Sequence, residues 1–397
     1  MNFKESILDT INGEPVDKIP YVPRLDLWFY GNKNRGTLPE KYKNKELIDI
    51  VDDLEIGYHA IIPNFRDYKD PLEIVDRAIG IWRIDQMPYK TILNGIKRNI
   101  NYEGNYRTVE YVTPYGNVKA RTRYTKRQEE SGITLSDIVE KVIKSEDDYE
   151  AVAYIFENIE LEPKFDKFKT FQEKIGNRGI YVACANLAAS PMRAIPRYLM
   201  DYNTFFIALM ENPEKLEWLA DKIGIYYNKL FKLMSKCPSE IIMLGSNYDS
   251  TISYPPFFEK YITPYLKKMA KLLHKNDKFL LTHTDGENDG LLEHYVKSDI
   301  DIADSVCPSP MTKLTLKDHR DVFKDKITIW GGIPAVMLLE STKDEEFERY
   351  MNDFFENQIG KGDKLILGVS DSVPPDAKFE RIVRISEICN EFGPVNN

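Results

Sequence analysis

The chain has 397 residues, more than an average domain and enough for one α/β barrel with insertions. Apolar residues make up 42% and charged residues 29%, the balance of a soluble globular protein rather than of a disordered or membrane chain. The formal net charge of -9 comes with no basic block and no periodic Lys/Arg stripe, which argues against nucleic acid as the main partner.

Cys184, Cys237, Cys307 and Cys389 are scattered, with no C-x-x-C pair. That pattern fits a reducing compartment and speaks against a disulfide framework or a Cys-rich zinc site. The first residues are charged and lack an apolar leader core, and no apolar run approaches ~18 residues. A cytoplasmic protein that neither enters nor crosses a membrane is expected.

In chain order, 3–12 reads as a short helix stopped by Gly13. Residues 19–28 read as a first strand carrying Arg24 and Asp26 near its end, and 45–54 as a helix. A second strand over 57–63 leads to Asn64. Between about 80 and 126, turn signals at Asn94-Gly95, Glu103-Gly104 and Gly116-Asn117 separate alternating runs, which predicts an antiparallel hairpin insertion. Charged helices are expected over 135–156 and 163–174.

From Gly179 the pattern becomes regular. Apolar strands end at Asn186, at Asn247 and Asp249, at His283 and Asp285, at Asp304 and Cys307, at Gly331-Gly332 and at Asp371, with helical stretches between them. Eight strands, near 19, 58, 180, 241, 279, 301, 327 and 365, alternate with helices. Such alternation predicts parallel pairing with right-handed crossovers, and eight units predict a (β/α)8 TIM barrel. The whole chain, 1–397, is then one barrel domain with the hairpin as an N-terminal insertion. No G-x-G-x-x-G loop follows a strand, which disfavours an open dinucleotide-binding sheet.

In a barrel, the strand ends converge on one mouth, where polar side chains carry chemistry. His283 and Asp285 are two residues apart on a strand and so point the same way. With Asp371 from the last strand they offer one nitrogen and two oxygens. Zn2+ on this set would keep an open position and act as a strong Lewis acid toward an ether or alcohol oxygen. The same three groups without metal form a proton relay. Asp249 is a further catalytic candidate, and Asn186, Asn247, Tyr248 and Arg24 are candidates to bind substrate, Arg24 through an anionic group. Gly331-Gly332 either cradles an anion or simply permits a tight strand exit, and Cys307 reads as a small buried thiol. His59, at the start of its strand, reads as lying away from the mouth.

Several of these motifs together resemble the uroporphyrinogen decarboxylase-like superfamily. They are Asn247-Tyr248-Asp249, the following Tyr254-Pro255-Pro256-Phe257, His283-x-Asp285-Gly286, Cys307-Pro308-Ser309-Pro310, Trp330-Gly331-Gly332 and Leu367-Gly368-Val369-Ser370-Asp371. The resemblance implies a (β/α)8 barrel that acts as a decarboxylase or as a cobalamin-dependent methyltransferase. In the branch acting on methylated thiols, zinc is held by His-x-Cys and a later Cys. Here Asp285 stands at the first Cys position and Asp371 near the second, a harder donor set. The Arg-Gln-Ala-Gly-Arg motif of the decarboxylases is missing from 23–28. No Asp-x-His-x-x-Gly motif is present to ligate a corrinoid, so the cobalamin would ride on a partner protein. The expectation is a methyltransferase taking a methyl group from a small O-methylated or related substrate to a corrinoid protein. A cofactor-free decarboxylase is the alternative, and a homodimer is compatible with either.

Overall fold

The computed structural model describes residues 1–61, 75–84, 87–133, 135–359 and 364–392. Seven strands form one parallel sheet in chain order: β1 (Tyr58–Ile61), β2 (Gly179–Asn186), β3 (Ile241–Ser246), β4 (Phe279–His283), β5 (Ile302–Val306), β6 (Thr328–Ile333) and β7 (Leu365–Val369). Their side chains are almost all buried on both faces, as strands covered by helices outside and packed within must be. The sequential order follows from the crossovers, since each helix returns the chain beside the strand it has just left. Asn64 lies outside the described residues.

The segment 20–22 bridges the two edges of this sheet. Val22 N–H donates to Leu367 O (2.7 Å), Leu367 N–H to Pro20 O (2.9 Å), and Gly57 N–H to Tyr21 O (2.8 Å). The architecture is therefore a mixed α/β, TIM-barrel-like sheet with helices outside. The strand expected over 19–28 is shorter than the sequence pattern suggests. Pro20 and Pro23 have no N–H to give a ladder, and Asp26 opens a helix, Asp26–Arg35, where its charge favours the helix N-terminus.

Between β1 and β2 lies a four-stranded antiparallel sheet of Lys97–Glu103, Tyr106–Thr113, Gly116–Arg123 and Asp137–Glu140. The stretch predicted as a helix over 135–156 thus splits into an edge strand and a shorter helix, Tyr149–Glu157. A second break falls at Asn212. Pro213 cannot donate within a helix interior, so the helical stretch after β2 divides into Tyr202–Glu211 and Pro213–Met234. Gly331 and Gly332 belong to β6 rather than to its exit. At Gly331 (φ 136°) an added Cβ would sit 2.7 Å from the Val306 nitrogen, so glycine is what lets β5 and β6 approach. No helix among the described residues is long and apolar enough to cross a membrane.

Candidate active site

The parallel register assembles the centre of the site. His283 on β4 is the cross-strand neighbour of Asp304 on β5, and bulges beside both residues re-aim them inward. The result is a hydrogen bond of 2.6 Å between His283 Nδ1 and Asp304 Oδ2. Asp304 is 1% exposed. Its other oxygen, Oδ1, lies 3.4 Å from Nε2 of His59, which comes from β1 and stacks on Trp330 with ring centroids 4.4 Å apart. A buried carboxylate therefore sits between two buried imidazoles.

These environments separate the three titrations. Burial pushes the His59 pKa down to about 4, so this ring is neutral at physiological pH. Burial acts the same way on His283, but the hydrogen bond and charge of Asp304, with the charge of Asp371, outweigh it and leave the pKa raised. Burial alone would raise Asp304. His59, His283 and Arg24 bring it below the usual carboxylate value instead. His283 is thus the imidazole that holds a proton to higher pH than usual, with Nδ1 on Asp304 and Nε2 directed at Asp371 Oδ1, 3.5 Å away. Arg24 Nη1 reaches the same Asp371 oxygen at 3.4 Å.

A cavity of about 210 Å³ opens over this group. Its polar lining is Arg24, Arg197, Ser246, Asn247, His283 and Asp371, and Ile61, Leu135, Leu187 and Met243 supply the apolar part. Larger hollows run along the outer helices, one lined by residues 344–357 and one between Asp344–Asp353 and Phe379–Phe392, and no strand residue lines either. Three residues around the mouth, Asn247 (φ 52°), Ser305 (φ 60°) and Asp371 (φ 58°), hold left-handed backbone without being glycine. Such residues cost on the order of 1–3 kcal/mol each and gather where function fixes them. The other described non-glycine cases, Glu55, Asp277, Asp299 and Lys324, sit where a helix hands the chain to the next strand, an ordinary place for this conformation.

The expected site residues divide into two groups. His283, Asp371, Arg24 and Asn247 meet at the cavity. Asp285 stands beside it, bonded to Asn247 Nδ2 at 3.2 Å, with its pKa raised by burial and by Asp371. Tyr248 is fully buried, its hydroxyl 2.9 Å from Thr282 Oγ1. It packs under the site, and an added Cβ at Gly245 would collide with its hydroxyl. Asn186 accepts from Ala188 N–H (2.8 Å) and Asp249 from Thr251 N–H (2.8 Å), so each closes a turn. The Cys307 thiol is pushed up to about 11 by burial and is no nucleophile.

The donor set expected to hold a metal does not assemble as one. Among the described residues no group of three His, Cys, Asp or Glu side chains is gathered to hold an ion. His283 has only Nε2 to offer, Asp371 is held by the Arg24 guanidinium, and Asp285 is held by Asn247. A guanidinium on the ligating carboxylate competes with a cation for the same oxygen.

Sequence reasoning overlooked Asp304 as a partner, His59, and a pair of arginines, Arg193 and Arg197. The pair follows the end of β2 at helical spacing, four residues apart. Arg197 lies on a π-helical turn, Ile195–Leu199, a distortion common at functional sites. Its Nη1 donates to Ser246 O (3.0 Å) and its Nη2 to Asn247 Oδ1 (3.4 Å).

A barrel-like parallel sheet with its polar groups at the carboxyl ends of the strands defines a class of enzyme-bearing folds. Within it, the family model of uroporphyrinogen decarboxylase (URO-D) matches residues 131–392, and the chain belongs to that family. A comparison with curated proteins finds no match. Among solved structures, a methyltransferase from Methanosarcina mazei aligns over 99% of this chain and 99% of its own, with a TM-score of 0.52 and 12% identity. That likeness is one of fold.

Proposed function

We propose that the protein is a methyltransferase that takes a methyl group from a small O-methylated substrate to a corrinoid carried by a separate protein, with His283 as general acid. The observation that carries this reading is the buried Asp304–His283 hydrogen bond of 2.6 Å, which favours the protonated imidazole and leaves Nε2 at the cavity. An ether oxygen leaves poorly as an alkoxide. As the methyl carbon–oxygen bond breaks, the oxygen keeps the electron pair and takes the Nε2 proton, so a neutral alcohol departs. The reduced corrinoid supplies the nucleophile that receives the methyl group. Neutral His283 then regains its proton from water, and Asp304 holds the ring in place throughout. On this reading 20–22 is the eighth strand of a closed (β/α)8 barrel, and the open mouth admits the corrinoid protein.

The test is to mix the protein with methyl ethers and reduced cobalamin and to follow methylcobalamin by its absorbance. Formation that depends on His283 supports the reading, and none across aliphatic and aromatic methyl ethers would sink it. A second reading, decarboxylation, is favoured by Arg197 at the cavity, since a guanidinium suits a carboxylated substrate. Release of carbon dioxide from a porphyrinogen, with no methyl transfer, would select it.

A further inference from the structure

The arginine pair differs from Arg24, Arg83, Arg98 and Arg381, each of which meets a carboxylate. Arg193 is 3% exposed, yet its Nη1 and Nη2 reach only neutral oxygens, Tyr202 Oη at 3.3 Å and Asn247 O at 3.4 Å, and its Nε has no partner. Arg197 is likewise held by neutral groups: Ser246 O, Asn247 Oδ1 and the Tyr198 hydroxyl. Among the described residues no carboxylate forms an ion pair with either guanidinium.

A third cation, Lys141, stands behind them. Its Nζ donates to Pro196 O (2.6 Å), within the turn carrying Arg197, and to Met200 O (3.2 Å), just after it. Burial, and then repulsion by Arg193 and Arg197, bring its pKa down to about 8, with Asp201 acting the other way. Asp285 is linked to Arg197 through the Asn247 side chain, whose Nδ2 donates to Asp285 while its Oδ1 accepts from Arg197. Buried cations are ordinarily paired with an anion, because removal from water is costly and neutral acceptors repay it poorly. Here no counter-charge is found among the described residues, while Arg197 faces the cavity.

We propose that Arg197, backed by Arg193, is the subsite for a carboxylate on the methyl donor, so that the substrate is a small methoxylated carboxylic acid. The assignment rests on the methyl-transfer reading for the methoxy group, but not for the carboxylate. Arg24 on the other wall is occupied by Asp371, which leaves Arg197 as the anchor. With the acid end on Arg197, the body of the substrate crosses Ile61, Leu187 and Met243, and its ether oxygen meets His283 Nε2. A cavity of about 210 Å³ has room for a single-ring acid of this kind.

The experiment is calorimetric titration of the full chain with methoxybenzoate, benzoate, methoxybenzene and inorganic phosphate, on the wild type, Arg197→Gln and Arg197→Lys. Both acids are expected to bind at least about tenfold more tightly than neutral methoxybenzene. Arg197→Gln should remove that advantage and leave methoxybenzene unchanged, and Arg197→Lys should restore part of it. Equal affinity of the wild type for acid and neutral ligand would overturn the subsite even if no variant folds. So would undiminished acid binding in a folded Arg197→Gln protein, or phosphate as the tightest ligand. Benzoate has no methyl group to give. If it binds through Arg197 while no methyl ether reacts, the methyl-transfer reading fails and the carboxylate subsite stands.

Discussion

The two ends of the cavity handle charge in opposite ways. At one end every charge is answered within the chain: Asp304 lies between His59 and His283, and Asp371 between His283 and Arg24. At the other end Arg193 and Arg197 rest on neutral oxygens. A closed set of partners fixes the protonation state and aim of one ring, which is what proton transfer requires. A cation pair with no counter-ion among the described residues suits an anionic ligand. The difference assigns chemistry to the first end and recognition to the second.

Removing the imidazole breaks this contrast most severely. His283→Gln should lower the methyl-transfer rate by about 10²–10⁴-fold, the usual worth of a placed general acid. Benzoate affinity, which belongs to the arginine end, should stay within a few-fold. If binding and turnover fell together, the two ends would not be separate functions. Stopped-flow absorbance for transfer and calorimetry for binding read the two on one preparation.

The next effect in size is on stability, and its sign follows from the two histidines. His59 has a folded pKa near 4, below its unfolded value, so the unfolded chain binds more protons between those two values. Stability should therefore fall as pH drops from about 6.5 to about 4, by on the order of 3 kcal/mol from this ring alone. His283 has a raised folded pKa, so its contribution is complete below about 6.5 and is lost as pH rises through the folded value. Urea unfolding midpoints across this range should show the acid-side slope flatten in His59→Gln. An unchanged slope would mean that the His59 ring is not held neutral by its burial.

Those two rings also show how far the sequence could be read. The apolar runs near 58, 180, 241, 279, 301, 327 and 365 became the seven strands, because short buried runs between helices have few other arrangements. His283 and Asp371 were legible as strand-end residues, and both line the cavity. Asp304 was visible as a strand-end acid but not as the partner of His283, since strand register is a property of pairing and not of spacing. The contact of His59 with Asp304 was not legible for a related reason: alternation says which face of a strand a side chain takes, not what stands opposite it. Tyr248, next to Asn247, was expected at the pocket. The left-handed turn at Asn247 sends it under β4 instead.

Neutralising the buried acid should have a smaller and more specific effect on catalysis. A general acid works only while protonated, so the wild-type rate should fall as pH rises through the raised His283 pKa. Asp304→Asn removes the charge that raises it. The descending limb should then move to lower pH, and above it the rate should drop about tenfold for each pKa unit lost. Asp304→Glu, which keeps the charge, should retain the position of the limb. A limb that stays put in Asp304→Asn would mean that another group supplies the proton.

The smallest effect is expected at Asp371, and there the proton-donor and metal accounts of the same residues part. Its side chain is 47% exposed, and its contacts with Arg24 (3.4 Å) and His283 (3.5 Å) are long. A half-exposed pair of this kind contributes at most about 1 kcal/mol, so Asp371→Asn should unfold within about that margin of the wild type. Its methyl-transfer rate should change only modestly, since Asp304 rather than Asp371 makes the short bond to His283. Were Asp371 a ligand of a zinc ion, the same substitution would abolish transfer and release metal, and chelation of the wild type would mimic it. Zinc measured by elemental analysis in wild type, Asp371→Asn and His283→Ala, purified without chelator, separates the accounts. About one equivalent in the wild type that is lost from both variants would replace the imidazolium with a Lewis acid at this end of the cavity, while leaving the arginine end as it is.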